Sequence, residues 1–137
     1  MASPAAFGAI QTYLREVWNV TPLVFENESA TPPADESLWV QIEVYGTLYA
    51  QASIGAEERA DNLFRERGVL LLHVMMPNGT GTMDGRRAGF DLVQLLAGRE
   101  ISGVVFGEAS IGAGDPAVPN ANFATMTVSF EWHLDHN

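Results

Sequence analysis

The chain has 137 residues, no cysteine and a formal net charge of −10. That length fits one domain, residues 1–137, with a core that buries roughly two-thirds of the unfolded surface. The missing cysteines exclude disulfide frameworks, thiolate metal sites and thiol nucleophiles. The acidic balance argues against general nucleic-acid affinity, which needs cations to neutralise phosphates; all seven cations are arginines, at 15, 59, 65, 67, 86, 87 and 99.

Ser3 followed by Pro4 reads as an N-cap with proline at the first helical position. Phe7, Ile10, Leu14 and Val17 recur at helical spacing, so one apolar face is expected through about Trp18. Gln11, Arg15 and Glu16 at helical spacing, with no basic start and no long apolar run, separate this segment from a secretion signal. Thr21-Pro22 stops the helix. Leu23, Val24 and Phe25 suit a short strand, and residues 27–37 a loop with Pro32, Pro33 and the acids Glu28, Asp35 and Glu36.

From Leu38 to about Ser53 the chain alternates. Leu38, Val40, Ile42, Val44 and Leu48 form an apolar face expected to meet the core. Trp39, Gln41, Glu43, Tyr45, Thr47 and Tyr49 form a mixed face suited to partial exposure or contact. A charged turn over 55–61 then returns the chain as a strand from Asn62 to Met76, with Phe64, Leu70, Leu72, Val74 and Met76 on one parity. Gly68 permits a bulge or a close approach there.

Pro77 to Gly81 ends the strand, and Thr80 or Thr82 is placed to cap a helix with Asp84 in its first turn. Ala88, Leu92, Leu95 and Leu96 give its inner stripe, with Gly98 as the stop. Ile101 to Ile111 reads as one strand, and Gly112 to Asn122 as a loop rich in Gly, Pro and Asn. Phe123 to Leu134 gives the cleanest alternation, with Ala124, Met126, Val128, Phe130, Trp132 and Leu134 facing in. The expected architecture is α+β: a mostly antiparallel sheet of four to five strands with a long β-hairpin, and two helices packed on it. No apolar run approaches the roughly 20 residues that a membrane-spanning helix needs.

No compact catalytic motif emerges. His133, Asp135 and His136 are close in sequence, but at a strand end they make a weak surface metal cluster at best. PNGTGTMDG at 77–85 is glycine-rich at a helix start, yet lacks the Lys-Ser/Thr of a phosphate loop. GEASIGAGDP at 107–116 contains no nucleophile elbow. The charges around the hairpin turn, Glu57, Glu58, Arg59, Asp61, Arg65, Glu66 and Arg67, suit either a solvated tip or an intersubunit clasp of forked arginine–carboxylate bonds.

Three features together resemble the tail terminator proteins of long, non-contractile-tailed phages and of gene transfer agents. They are the amphipathic first helix followed by TPLVFEN and a proline-rich loop into LWVQIEV, the arginine-bearing return strand RERGVLLLHVMMPNGTGT running into a helix, and the terminal strand ATMTVSFEWHL. The resemblance covers nearly the whole chain and rests on order and pattern. It implies a structural virion protein with no catalytic residue, cofactor or metal. Such proteins form a hexameric ring on the last ring of the tail tube, stop its growth and meet the connector or stopper on the head side, while DNA passes through the lumen. The implied location is the neck end of the virion tail, after synthesis in the bacterial cytoplasm. Exposure and chemistry then nominate Glu57, Glu58, Arg59, Arg65 and Arg67 for subunit contacts, with Trp39 and Tyr45 behind them. Two other readings stay open: another neck protein, such as a head-completion or connector protein, and a small α+β enzyme working through His73 or the C-terminal histidines.

Overall fold

The computed structural model describes residues 1–29, 37–54, 57–112 and 123–137. The elements are α1 (Pro4–Val17), β1 (Leu23–Val24), β2 (Trp39–Gln51), a 3-10 turn (Arg59–Asp61), β3 (Phe64–Pro77), α2 (Met83–Leu96), β4 (Glu100–Ile101), β5 (Val104–Ser110) and β6 (Phe123–His136). The loop residues Pro32, Pro33, Asp35 and Glu36 and nearly all of the 112–122 loop lie outside the described residues.

The fold is α+β, with two helices on a six-stranded sheet of order β1-β2-β3-β6-β5-β4. Pairing is antiparallel except for β1, which runs parallel to β2 at Leu23–Val40 and Val24–Gln41. The strand count exceeds the sequence expectation because 101–111 is not one strand. Ser102 and Gly103 both take positive φ, 49° and 87°, and this pair of left-handed residues makes a tight hairpin turn of β4 onto β5.

One face of the sheet carries the core. Val40, Ile42 and Val44 of β2, Leu70, Leu72, Val74 and Met76 of β3, and Val128, Phe130, Trp132 and Leu134 of β6 are buried there, as period-two alternation requires. α1 covers them with Ala6, Ile10 and Leu14, and α2 with Ala88, Leu92 and Leu96. The expected α1 stripe is therefore shifted. Val17 is exposed, and Phe7 sits at the core margin, edge-on to Phe25 at 5.9 Å. Leu95 is likewise only partly buried, and its carbonyl accepts the Tyr13 hydroxyl at 3.2 Å, tying α1 to α2.

The helix ends bear out most of their sequence signals. Ser3 caps α1 by accepting the Ala6 amide at 3.2 Å, and Gly98, at φ 69°, follows the end of α2 in the left-handed conformation. At the start of α2 the Thr82 hydroxyl makes no cap bond and instead accepts Arg86 Nε at 3.0 Å, while Thr80 donates to the Pro77 carbonyl at 2.8 Å.

Two glycines differ in the room beside them. A Cβ on Gly68 would collide with the Tyr45 carbonyl across the ladder and with the Trp132 indole above it. A Cβ on Gly89 would meet Val128 Cγ2 at 3.4 Å and Val74 Cγ2 at 3.8 Å, ordinary contact distances. The same substitution should therefore have opposite signs at the two sites. Gly68→Ala is expected to lower unfolding stability by about 3 kcal/mol through overpacking. Gly89→Ala is expected to raise it by up to about 1 kcal/mol, since alanine is the better helix former. Denaturant unfolding of both variants checks the pair.

Candidate functional site

The hairpin of β2 and β3 is in register from Trp39–Met75 to Gln51–Phe64, with one irregularity between Gly46 and Leu48. The extra residue is Thr47, whose hydroxyl donates to the Arg67 carbonyl at 3.2 Å. A bulge reverses side-chain parity beyond it. Leu48, expected in the core, is turned outward opposite Arg67 and is 55% exposed. Tyr49 turns to the helix-side face opposite Glu66, where its ring stacks on Phe64 at 5.4 Å and meets His136 edge-on at 5.5 Å. The distal hairpin consequently exposes large apolar side chains on both faces, Tyr45 and Leu48 outward and Tyr49 on the helix side, with Ile54 at the turn 100% exposed.

Strand order leaves β2 on the sheet edge beyond Gln41. The fold blunts part of that edge. The Glu26 carboxylate accepts the Val44 amide, and the Met1 ammonium lies 3.5 Å from the Gly46 carbonyl. Beyond the bulge, among the described residues, no backbone bond reaches β2 from its outer side. An unpaired edge beside exposed apolar side chains is the kind of surface to which another strand or subunit can add.

The nominated side chains divide into several groups. Glu57, Glu58 and Arg59 are exposed at the turn, with the Arg59 guanidinium 5.2 Å from the centre of the Phe64 ring. Arg65 forks onto Asp135 of β6, Nε to Oδ1 at 2.6 Å and NH2 to Oδ2 at 2.9 Å. That bond holds the Asp135 carboxyl below its ordinary pKa and raises that of Arg65. Arg65 thus belongs to the sheet face of its own chain, while Arg67 is exposed. Tyr45 is exposed, and its hydroxyl pKa is pushed up by the hydrogen bond to Glu43. Trp39 is at the far end of β2, opposite Met75, packed edge-on to Phe123 at 5.9 Å with its buried indole N–H unpartnered. It does not join the hairpin tip.

Glu66 is the residue that charge counting misplaces. Grouped by sequence with the tip, it is in fact 4% exposed. Its Oε1 accepts the Ser3 amide at 2.6 Å, and its Oε2 accepts the Ser3 hydroxyl at 2.6 Å and His136 Nε2 at 2.9 Å. One carboxylate thereby joins the start of α1, the distal part of the hairpin and the end of β6. Burial pushes its pKa up, but the Ser3 and His136 hydrogen bonds outweigh burial and the net shift is downward. The signal was present in the sequence, because Glu66 shares parity with Leu70, Leu72, Val74 and Met76.

The histidines separate. His136 is held by Glu66 on the helix-side face and Asp135 by Arg65 on the other, so the C-terminal cluster does not converge. Among the described residues no group of three or more His, Asp or Glu side chains is placed to hold a metal. His73 Nε2 lies 2.8 Å from Glu43 Oε2, and Nδ1 lies 2.8 Å from Thr127 Oγ1. A carboxylate only accepts, so in the neutral ring Nε2 carries the proton and Nδ1 takes the threonine hydrogen. That is the order of a nucleophile, a base and an orienting acid. However, β3 is flanked by ladders on both sides at this level, so its N–H groups are not free to stabilise an oxyanion. Through these two bonds His73 links β2, β3 and β6 across the sheet.

No protein-family model matches the chain, and no curated protein matches it. Solved structures do match. One superposes with a TM-score of 0.69 over 100% of this chain and 98% of its own, at 18% sequence identity. At that identity the likeness concerns the fold alone.

Replacing the buried carboxylate gives a direct check. Because the folded pKa of Glu66 lies below its ordinary 4.5, its contribution is fully present above that value and is lost as pH falls through the folded pKa. Glu66→Gln is expected to cost about 2 kcal/mol near neutral pH. It should also flatten the fall of stability between about pH 5 and 3, without abolishing it, because Asp135 and Glu28 are depressed too. Urea unfolding across that range reads both effects.

Proposed function

We propose that the protein is a tail-terminator-like structural subunit. Six copies form a ring that caps the growing tail tube of a phage or gene transfer agent, stops its polymerisation and receives the head-side connector or stopper. The observation that carries this is the hairpin: Leu48 and Tyr49 are exposed on the open-edged distal part of β2 and Ile54 just past its end, next to the charges of Glu57, Glu58 and Arg59. A lone domain in water gains nothing from such a patch, whereas a neighbouring subunit covers it. Subunits related head to tail close a ring only if each carries two different complementary patches, and the open edge and turn of this hairpin are suited to be one of them.

The charge supports the same reading. A ring of subunits each carrying −10 repels a polyanion moving through its lumen. DNA then slides without the counterion release that would hold it. Among the described residues no helix is long and apolar enough to cross a membrane. In this proposal the protein acts at the neck end of the virion tail, with the tail tube protein on one side and the connector or stopper on the other.

Electron microscopy of particles assembled without this protein decides the matter. Headless tubes of uncontrolled length are the expected result. Tails of normal length beside emptied heads would place the subunit on the head side of the neck, and normal infectious particles would overturn the structural role.

A further inference from the structure

The hairpin supplies one patch, and the opposite flank of the sheet supplies its counterpart. Between α2 and β6 lies a groove of about 320 Å³ lined by Val74, Gly89, Phe90, Ile111, Met126 and Val128. Its floor is low because Gly89 has no side chain, and its walls are apolar side chains left open to solvent, with Phe90 57% and Ile111 66% exposed. Arg86 stands on its rim, exposed, its Nε bonded to the Thr82 hydroxyl.

This groove and the hairpin turn occupy opposite extremes of the subunit. The turn follows the end of β2, beside the start of β3 and the end of β6; the groove adjoins the later part of β3 and the earlier part of β6. In strand order, β2 is on one flank, while the groove opens on the other side of β3, where β6 runs past the end of β5. Neither patch can reach the other within one chain, and the two differ, which is the arrangement a head-to-tail contact needs. Their charges also complement each other. Ile54 is followed closely by exposed Glu57 and Glu58, while the groove carries Arg86.

We propose that the occupant of this groove is a second copy of the chain. Its Ile54 enters between Phe90 and Met126, and its Glu57 and Glu58 face Arg86. This deepens the ring reading above and rests on it. The apolar side chain supplies burial, and the acids set the orientation against the arginine.

The absence of cysteine allows a clean test. Ile54→Cys and Phe90→Cys are both exposed substitutions that leave the core untouched; each is first checked for unchanged thermal unfolding. The two single variants are mixed at high concentration and oxidised, and covalent dimer is followed with time. The mixture is expected to cross-link about tenfold faster than either variant alone, the ratio a contact of about 1.4 kcal/mol gives. Adding Arg86→Glu to the Phe90→Cys partner should remove most of that advantage. Placing Glu57→Arg and Glu58→Arg on the Ile54→Cys partner should then restore it. Equal rates for the mixture and the single variants would overturn the proposal. So would fastest pairing of Ile54→Cys with itself, which indicates a tip-to-tip contact, or indifference to Arg86→Glu. Failure here together with overlong tubes in particles lacking the protein would discard this contact and leave the ring to be closed by another.

Discussion

The position of α1, and with it the shape of the core, depends on the carboxylate of Glu66. A helix packs usefully only if its apolar stripe arrives at the right angle, and that angle is fixed where the chain enters the helix. Here the entry is Ser3, which accepts the Ala6 amide as a cap and at the same time gives both its amide and its hydroxyl to Glu66. The cap and the sheet are thus one hydrogen-bonded unit. His136 closes it from the last strand. A buried carboxylate with three donors is stable as an anion, whereas the same group with its partners removed would carry an uncompensated desolvation cost. The carboxylate thus anchors the distal half of the hairpin, where β3 is still paired with β6 as far as Phe64–His136 and only the turn extends beyond the sheet.

The bulge at Thr47 decides which side chains the distal hairpin exposes. Without it, period two would carry Leu48 inward with Val40, Ile42 and Val44, and Tyr49 outward. With it, Tyr49 roofs the Phe64 and His136 rings while Leu48 faces solvent beside Arg67. Opposite the bulge, Gly46 and Gly68 are paired, and both have backbone or rings pressed against the place where a Cβ would be, Met1 at Gly46 and Trp132 at Gly68. The irregularity is therefore built from several coordinated small-residue positions. The edge treatment agrees with this division: it is protected up to Gly46 by Glu26 and the N-terminal ammonium and left open past it.

Much of this was legible in the sequence where a single physical period dominates. The alternation of β6, the inner parity of β3 and the Ser3-Pro4 start of α1 follow from residue order alone, because burial on one face selects the same residue types every second position. What escaped depends on register between distant segments. Leu48 looks like a core residue until a bulge is known. Arg65 looks free until β6 brings Asp135 opposite it, 70 positions away. Glu66 looks like one more surface acid among Arg65 and Arg67, although its parity already placed it inside; composition was allowed to outweigh periodicity. The Ser102-Gly103 turn was lost for a related reason, since apolar residues on both sides read as one strand. Of the nominated contact residues, the exposed Glu57, Glu58, Arg59, Arg67 and Tyr45 remain available to a partner, while Arg65 is engaged with Asp135 and Trp39 stands away from the tip.

The distribution of arginine completes the electrostatic argument. Arg15 is bonded to Glu28 at 2.5 Å, Arg65 to Asp135 and Arg87 to Asp84 at 3.2 Å, while Arg59 is spread over the Phe64 ring. Each of these cations is already compensated or partly covered within its own chain. A phosphate backbone would have to displace a carboxylate to reach the Arg15, Arg65 or Arg87 guanidinium, and would meet the surplus acids while doing so. Net charge alone predicts weak attraction to DNA; the pairing makes it weaker than the number of arginines suggests, because binding through counterion release counts only cations free to approach phosphate. Arg65 serves a forked contact and Arg15 and Arg59 lie over aromatic rings within the fold, uses for which the planar head of arginine suits it better than lysine. A passage that must let DNA through without retaining it is consistent with both the excess of acid and the absence of lysine.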